Sequence, residues 1–404
     1  MTGCVLFYVQ HLLGIGHLQR ALRIAGALKR ERLRVTLVSG GEPVATLANA
    51  PADQVIQLPP VRAKDAGFKE LVDHEGRPVD DRLRGARRSA LLAVFAAVQP
   101  EVILIEAFPF GRRAFRFELD ALIDAAWSHR PRPLLVCSLR DIVVAPHDPL
   151  RLRDIVDRVR AKFDFVLVHG DPNFLPLEAS FPAATEIADQ LIYTGYIGET
   201  NGTCADQHLG TDEAVGRDEV IVSVGGGAVG GTLLSTALET RRRGVLADVT
   251  WRLLAGPNLP EAEFRILRSG LPEGIILERY RLDFPQLLRR CRVSISQAGY
   301  NTILDLLKAR AAAVVIPFAA QRETEQSLRA ERLAARGMLE LIRETELSPE
   351  TLASAIDRVI GRRPAMIPIA TEGARRTAAL IAEMIRKRRL PTGSGILSRG
   401  GQAV

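Results

Sequence analysis

The sequence predicts an α/β protein made of two doubly wound parallel-sheet domains. Three observations lead there. Short runs rich in Val, Ile and Leu recur along the chain and are nearly continuous in hydrophobicity, as expected of strands covered on both faces by helices. Amphipathic stretches of helical length separate those runs. The alternation stops between Glu199 and Asp218 and then begins again, and 404 residues exceed what one hydrophobic core usually organises.

In the first series the strand-like runs are Val5–Val9, Val35–Ser39, Val102–Ile105, Leu134–Ser138 and Phe165–His169. Helical patterns fall between them at His17–Glu31, Asp81–Val98, Ala114–Trp127 and Leu150–Phe163. Residues 199–218 are rich in Gly, Asp and Thr without an apolar period, which predicts a linker or surface loop. The second series has strands at Val220–Val224, Thr250–Leu254, Ile275–Leu277, Val293–Ser296 and Ala313–Ile316. Its helices are Thr232–Arg243, Glu261–Arg268, Phe284–Cys291, Asn301–Ala309 and Glu323–Arg336, with Ser348–Ile360 and Glu372–Arg388 beyond. The boundaries that follow are an N-terminal domain at 1–198, a C-terminal domain at 219–368, a helix at 369–388 and a disordered tail at 389–404. Open parallel sheets bind ligands beyond the carboxyl ends of their strands, so two such domains facing across a cleft place function on the loops after the strands.

Composition narrows the class. Hydrophobic residues make up 47% and charged residues 25%, the balance of a soluble globular protein, which excludes a disordered or collagen-like chain. Cys4, Cys137, Cys204 and Cys291 lie far apart with no Cys-x-x-Cys pair, and are read as reduced thiols in a cytoplasmic protein. The uncharged stretch Val220–Leu238 contains five glycines and reads as strand, loop and helix rather than a membrane span. The N-terminus lacks the features of a signal peptide. Net charge is +7, part of it in the run Arg386-Lys387-Arg388-Arg389. A solvated helix end is the favoured reading of that run, ahead of peripheral contact with anionic lipid. No aromatic residues interleave with it, so nucleic acid is not an expected partner.

Chemistry concentrates on four loops. The first strand leads into Leu12-Leu13-Gly14-Ile15-Gly16-His17, where Gly14 and Gly16 let backbone N–H groups approach an anion. His17 opens a helix, whose dipole disfavours imidazolium, so a neutral ring able to take a proton competes with a plain helix-end hydrogen bonder. The second domain opens with Ser223-Val224-Gly225-Gly226-Gly227-Ala228-Val229-Gly230-Gly231, a phosphate-cradle signal without the Lys-Ser/Thr of an ATP-hydrolysing loop. After Val293–Ser296 come Gln297-Ala298-Gly299-Tyr300-Asn301-Thr302-Ile303-Leu304-Asp305. Here Gly299 permits a tight turn, Asn301 or Thr302 can cap a helix, and Asp305 can accept two vicinal hydroxyls or simply favour the helix dipole. One strand later, Glu325 and Gln326 are either sugar contacts or an exposed polar helix start. The sequence holds no Asp-x-Asp pair for Mg²⁺, and no metal or cofactor is expected.

In that order, these motifs resemble the GT-B glycosyltransferases and, more narrowly, glycosyltransferase family 28, which includes the lipid II-forming N-acetylglucosaminyltransferase. The likeness spans roughly residues 3–340 and is most specific from Ser294 to Gln326. It implies a cytoplasmic, possible peripheral-membrane enzyme of cell-envelope or polysaccharide synthesis, in which the second domain holds a UDP-sugar. By the resemblance Asp305 takes the ribose, where the lipid II enzyme has Glu. Gln297, Gly299, Asn301 and Thr302, with Gly225, Gly226 and Gly227, line the diphosphate. The backbone at Tyr280 and Arg281 meets the base, and Glu325 and Gln326 meet the sugar in place of the usual paired Gln. The first-domain turn, completed by Arg20, is closer to that of a UDP-sugar hydrolase. The leading expectation is inverting, metal-independent transfer of a sugar from a UDP-sugar such as UDP-N-acetylglucosamine to a hydroxyl of an unspecified acceptor. His17 is then the base, Glu106 its assistant or else a capping carboxylate, and Arg140 and Asp141 are acceptor contacts or an internal ion pair. A nucleotide-sugar hydrolase and a non-catalytic nucleotide-sugar sensor are the alternatives.

Overall fold

A computed structural model describes residues 3–12, 15–64, 70–146, 148–198, 214–225, 230–257, 259–318, 325–362, 364 and 369–390. The chain divides into two compact units, residues 1–199 together with 369–404, and residues 200–368.

The first unit begins with β1 (Cys4–Val9), α1 (Gly16–Arg30), β2 (Arg34–Ser39) and β3 (Gln54–Gln57). A small antiparallel pair, β4 (Arg62–Ala63) and β5 (Leu71–Val72), follows. Then come α2 (Asp81–Val98), β6 (Val102–Glu106), α3 (Arg116–Ser128), β7 (Leu134–Arg140), α4 (Pro149–Lys162), β8 (Phe165–His169) and β9 (Leu191–Tyr193). Its main sheet has the order β3-β2-β1-β6-β7-β8-β9, with every pairing parallel. Side chains alternate across the sheet. Leu6, Tyr8, Ile103 and Ile105 join Leu91 of α2 and Leu119 of α3 in one core layer. Val5, Phe7, Leu104, Val136 and Leu167 join Leu18, Ile24 and Leu28 of α1 in the other. Strand order reverses between β1 and β6, which makes their carboxyl ends a topological switch point.

The two helices on the first of these faces are tied to the sheet through one buried carboxylate. Arg87 of α2 donates from Nε and Nη2 to Glu118 of α3, at 2.8 and 2.7 Å, and Tyr8 of β1 donates to the same side chain. Arg87 and Glu118 are fully buried, so pairing is what makes their charges tolerable.

The second unit runs β10 (Val220–Ser223), α5 (Gly231–Arg242), β11 (Trp251–Leu254), α6 (Glu261–Arg268), β12 (Ile275–Glu278), α7 (Phe284–Arg290), β13 (Val293–Ser296), α8 (Tyr300–Ala309), β14 (Ala313–Val315), α9 (Glu325–Ala334), β15 (Glu340–Leu341) and α10 (Pro349–Val359). Its parallel sheet, β12-β11-β10-β13-β14-β15, reverses order between β10 and β13. The loops carrying Gly225 and Gln297 therefore leave from adjacent strand ends. Trp251, Leu253, Val293 and Ile295 centre its core.

The last helix, α11 (Gly373–Arg389), belongs to the first unit, where Ala374, Ala378, Ile381 and Ile385 fill the layer beside α1. The chain returns by a close crossing of two backbones. Tyr196 N donates to Ala370 O at 2.7 Å, and Gly373 N donates to Tyr196 O at 3.0 Å. Gly195 has φ +89°, and a Cβ on Gly373 would lie 2.1 Å from Gly195 O, so this crossing admits no side chain at either position.

The helices and strands expected from the apolar runs form with ends moved by one or two residues. The strands β3, β4, β5, β9 and β15 were not expected. Most of the segment 199–218 lies outside the described residues, as do 391–404 of the expected tail, while Arg389 is helical rather than part of that tail.

Candidate functional site

Period-two alternation explains how the first unit assembles its polar cluster. Leu104, Val136 and Leu167 point toward α1, so the residues two further along, Glu106, Ser138 and His169, fall on the same face at the carboxyl ends of β6, β7 and β8. Residues three apart on a helix also share a face, which turns His17 and Arg20 of α1 together onto that cluster. His17 Nδ1 lies 3.0 Å from Glu106 Oε1, and Arg20 Nη2 donates to that same oxygen. Ser138 Oγ donates to Glu106 Oε2. Glu106 has no exposed surface, while the His17 side chain keeps 23% of its own.

Electrostatics sets the protonation of the pair. Burial alone would raise the Glu106 carboxyl, but Arg20, His17 and Ser138 override it and hold the group far below the ordinary carboxylate range. Two neighbours compete for His17 Nδ1: the ionised Glu106 only accepts and favours the ring proton there, while Arg20 Nη2, a donor 3.0 Å from the same nitrogen, favours it on Nε2. Burial pushes the His17 imidazole down to about 3, the Glu106 bond opposes that shift, and the Arg112 and Arg20 guanidiniums reinforce it. The resting ring is therefore neutral at physiological pH. Once it takes a proton, Glu106 is placed to offset the new charge. Gly16 is the first residue of α1, whereas Gly14 lies outside the described residues.

In the second unit, Gly225 follows β10 with φ +68°, and Gly226 and Gly227 lie outside the described residues. Gln297 and Gly299 follow β13, and α8 starts immediately after, so Asn301, Thr302 and Asp305 occupy its first turns. Asp305 is half-buried, Thr302 likewise, and Asn301 is exposed. Gln326 Oε1 accepts from Ala298 N and from Phe318 N, each at 3.1 Å, and so braces the loops after β13 and β14 against α9. Glu325 accepts from Arg329 at 2.9 Å. Arg281 is a bidentate partner of Asp283, at 2.8 and 2.9 Å, while Tyr280 beside it is 62% exposed. Among the described residues, no group of three or more His, Cys, Asp or Glu side chains is arranged to hold a metal ion. No described helix is long and apolar enough to cross a membrane.

Comparison with known proteins places this arrangement. Residues 221–385 match the family model described as the glycosyltransferase family 28 C-terminal domain. The chain is a glycosyltransferase whose second half carries a family 28 C-terminal domain. It is 25% identical over 382 residues to the UDP-N-acetylglucosamine--N-acetylmuramyl-(pentapeptide) pyrophosphoryl-undecaprenol N-acetylglucosamine transferase of Phenylobacterium zucineum (strain HLK1), covering 90% of this chain and 91% of that protein. Among solved structures, it is similar to the calicheamicin glycosyltransferase CalG4, with TM-score 0.61 and 16% identity over 97% of this chain and 100% of that one. It is also similar to Acinetobacter baumannii MurG, with TM-score 0.57 and 16% identity over 95% and 99%. Both are GT-B glycosyltransferases, and the two parallel-sheet units are the GT-B architecture.

The remaining expected residues of the transferase occupy different environments. Arg140, the last residue of β7, is half-buried. Asp141 has no exposed surface and accepts from Tyr196 Oη at 3.2 Å, which places it in the framework of the first unit. Sequence reasoning missed Ser138, His169 and Arg112. The available signal for the first two was a polar residue near the carboxyl end of an otherwise apolar strand, in Leu-Leu-Val-Cys-Ser-Leu-Arg and Phe-Val-Leu-Val-His.

Proposed function

We propose that this glycosyltransferase moves N-acetylglucosamine from its UDP-linked form to an acceptor hydroxyl, with inversion and without a metal ion. The observation that carries this reading is the His17–Glu106 pair at the switch point of the first sheet, and the reading puts the ring proton on Nδ1. His17 Nε2 takes the acceptor's hydroxyl proton while the acceptor oxygen bonds to the anomeric carbon. The bond from that carbon to the diphosphate breaks, UDP leaves, and a single displacement inverts the centre. The leaving diphosphate meets backbone N–H groups of the Gly225–Gly227 loop and the loop around Gly299, with Gln297, Asn301 and Thr302 nearby. Asp305 takes the ribose hydroxyls, the backbone at Tyr280 and Arg281 meets the base, and Glu325 and Gln326 meet the sugar. The donor follows the names of the curated relatives, which specify UDP-N-acetylglucosamine. Those names also specify an undecaprenol-linked acceptor. With such an acceptor the enzyme works at a membrane surface, as a peripheral protein on the cytoplasmic side.

The test is a thermal-shift panel of UDP, dTDP and GDP with their N-acetylglucosamine or glucose derivatives, on wild type and Asp305→Asn. A ligand bound only by the native state raises the melting temperature. UDP compounds should shift wild type and lose most of that shift in Asp305→Asn; no shift with any UDP compound overturns the donor assignment. Incubation of UDP-N-acetylglucosamine with the undecaprenol-linked acceptor then reads transfer, and the anomeric configuration of the product reads inversion. Release of UDP and free sugar at the same rate with and without acceptor makes the enzyme a hydrolase instead. Binding without any turnover makes it a sensor.

A further inference from the structure

His169 is a titratable side chain with no exposed surface, and the transfer step just described does not use it. It nevertheless joins the catalytic pair through an unbroken series of hydrogen bonds. Glu106 Oε2 accepts from Ser138 Oγ, which stands 2.8 Å from His169 Nε2, and His169 Nδ1 stands 2.8 Å from Thr194 Oγ1. One group decides the direction of the whole series. Because Glu106 is acceptor-only, Ser138 must donate to it; the Ser138 oxygen is then the acceptor for His169, so Nε2 carries that ring's proton. His169 Nδ1 is left as the acceptor of the Thr194 hydroxyl. The order is thus fixed from His169 Nε2 through Ser138 to Glu106, while the Thr194 hydroxyl also has the Val168 and Gly195 carbonyls in reach and His17 Nδ1 has Arg20 Nη2 beside it.

We propose that Ser138 and His169 are positioning residues that lock Glu106 in place and thereby fix His17 in the Nδ1–H tautomer that exposes its basic nitrogen. This inference rests on the reading of His17 as the base. Burial at the carboxyl end of an interior strand favours a Leu or Val at the end of β8, and an imidazole whose two nitrogens are both engaged is the arrangement that orients a hydroxyl. The charged and titratable groups facing the pair are Arg20 on α1, Arg112 after β6, Cys137 and Arg140 on β7, and His169 on β8. Burial first, then Arg20, pushes His169 down to about 3, so it stays neutral and keeps the single tautomer the series needs.

The experiment follows ring-nitrogen resonances of ¹⁵N-histidine-labelled full-length protein between pH 2.5 and 8, assigned with His17→Ala and His169→Gln. Wild type should show His17 neutral with its proton on Nδ1 and His169 neutral with its proton on Nε2. In Ser138→Ala the carboxylate loses a donor and becomes more basic, so it pulls harder on Nδ1–H. The His17 titration should rise by about 0.5–1 pH unit. His169→Leu should shift it in the same direction by less. Ser138→Thr, which keeps the hydroxyl, and His169→Gln, which keeps a donor near Nε2, should return the wild-type pattern. In turnover, the affected variants should lower kcat and move its acidic limb upward while the donor KM stays fixed. If Ser138→Ala does not fold, Ser138→Cys, with its weak thiol donor, gives the same reading. A His17 tautomer and titration unchanged in Ser138→Ala and His169→Leu, with the fold retained by circular dichroism, overturns the proposal. Full turnover by His17→Ala would instead sink the assignment of the base, and the tautomer pattern would still report on the series.

Discussion

At the residue scale, a buried carboxylate between two cations and an imidazole organises the polar cluster of the first unit. Glu106 acts only through the atoms it holds, so its amide analogue is the informative substitution. In Glu106→Gln the side-chain NH₂ can donate to His17 Nδ1 and so favour the tautomer with its proton on Nε2. Steady-state transfer should show kcat lowered by about 10²–10⁴-fold with the donor KM little changed, and His17→Ala should match it. The histidines also set the acid limit of stability. His17 and His169 are held near 3 in the folded chain and return to about 6.5 when unfolded. Their contribution is therefore complete above pH 6.5 and is lost as pH falls toward 3, because the unfolded state gains protons that the native state refuses. The melting temperature should drop progressively from pH 6.5 to 4, and His169→Gln should make that fall shallower. A rise in melting temperature over that range would contradict the assigned neutrality. Sequence reasoning reached His17 and Glu106 because a His after Gly-x-Gly and an acid ending an apolar strand stand out in one dimension. Ser138 and His169 did not stand out, since their meaning depends on β6, β7 and β8 being neighbours.

At the scale of elements, apolar strands buried on both faces were legible because their patterns are long and uninterrupted. The strands that escaped notice lie at sheet edges or in a two-stranded pair. Gln-Val-Ile-Gln of β3, Leu-Ile-Tyr of β9 and Glu-Leu of β15 are too short to show a period. Equally hidden was the tie among α2, α3 and β1. Arg87→Leu would leave Glu118 buried without its cation and should lower unfolding stability by about 3–5 kcal/mol in urea titration. The double variant Arg87→Leu, Glu118→Leu should recover most of that loss, because no charge then remains to be compensated. The crossing of Gly195 and Gly373 is as demanding for steric reasons. Gly373→Ala should cost about 1–3 kcal/mol, since the intruding Cβ meets backbone rather than a side chain able to move aside. Of the second unit's expected contacts, Gln326 is the one whose role grew: by accepting from two backbone N–H groups it shapes the loop that precedes α8.

For the whole molecule, the recurrence of one sheet pattern after residue 219 made the GT-B architecture readable, while the destination of the last helix was not. Nothing in the amphipathic run ending at Arg389 says which of two similar sheets it covers. The structure assigns α11 to the first unit, where Ile381 and Ile385 are buried beside α1. Ile381→Ala should therefore destabilise the first unit by about 2–5 kcal/mol and leave the UDP-induced thermal shift of the second unit in place. The second unit is, in terms of connectivity, an insertion between β9 and α11. During synthesis on the ribosome, residues 200–368 emerge whole before the amino-terminal sheet receives the helix that completes its outer layer. The second unit should thus mature first, with the earlier-made unit waiting, its α1 face bare, until α11 has been made.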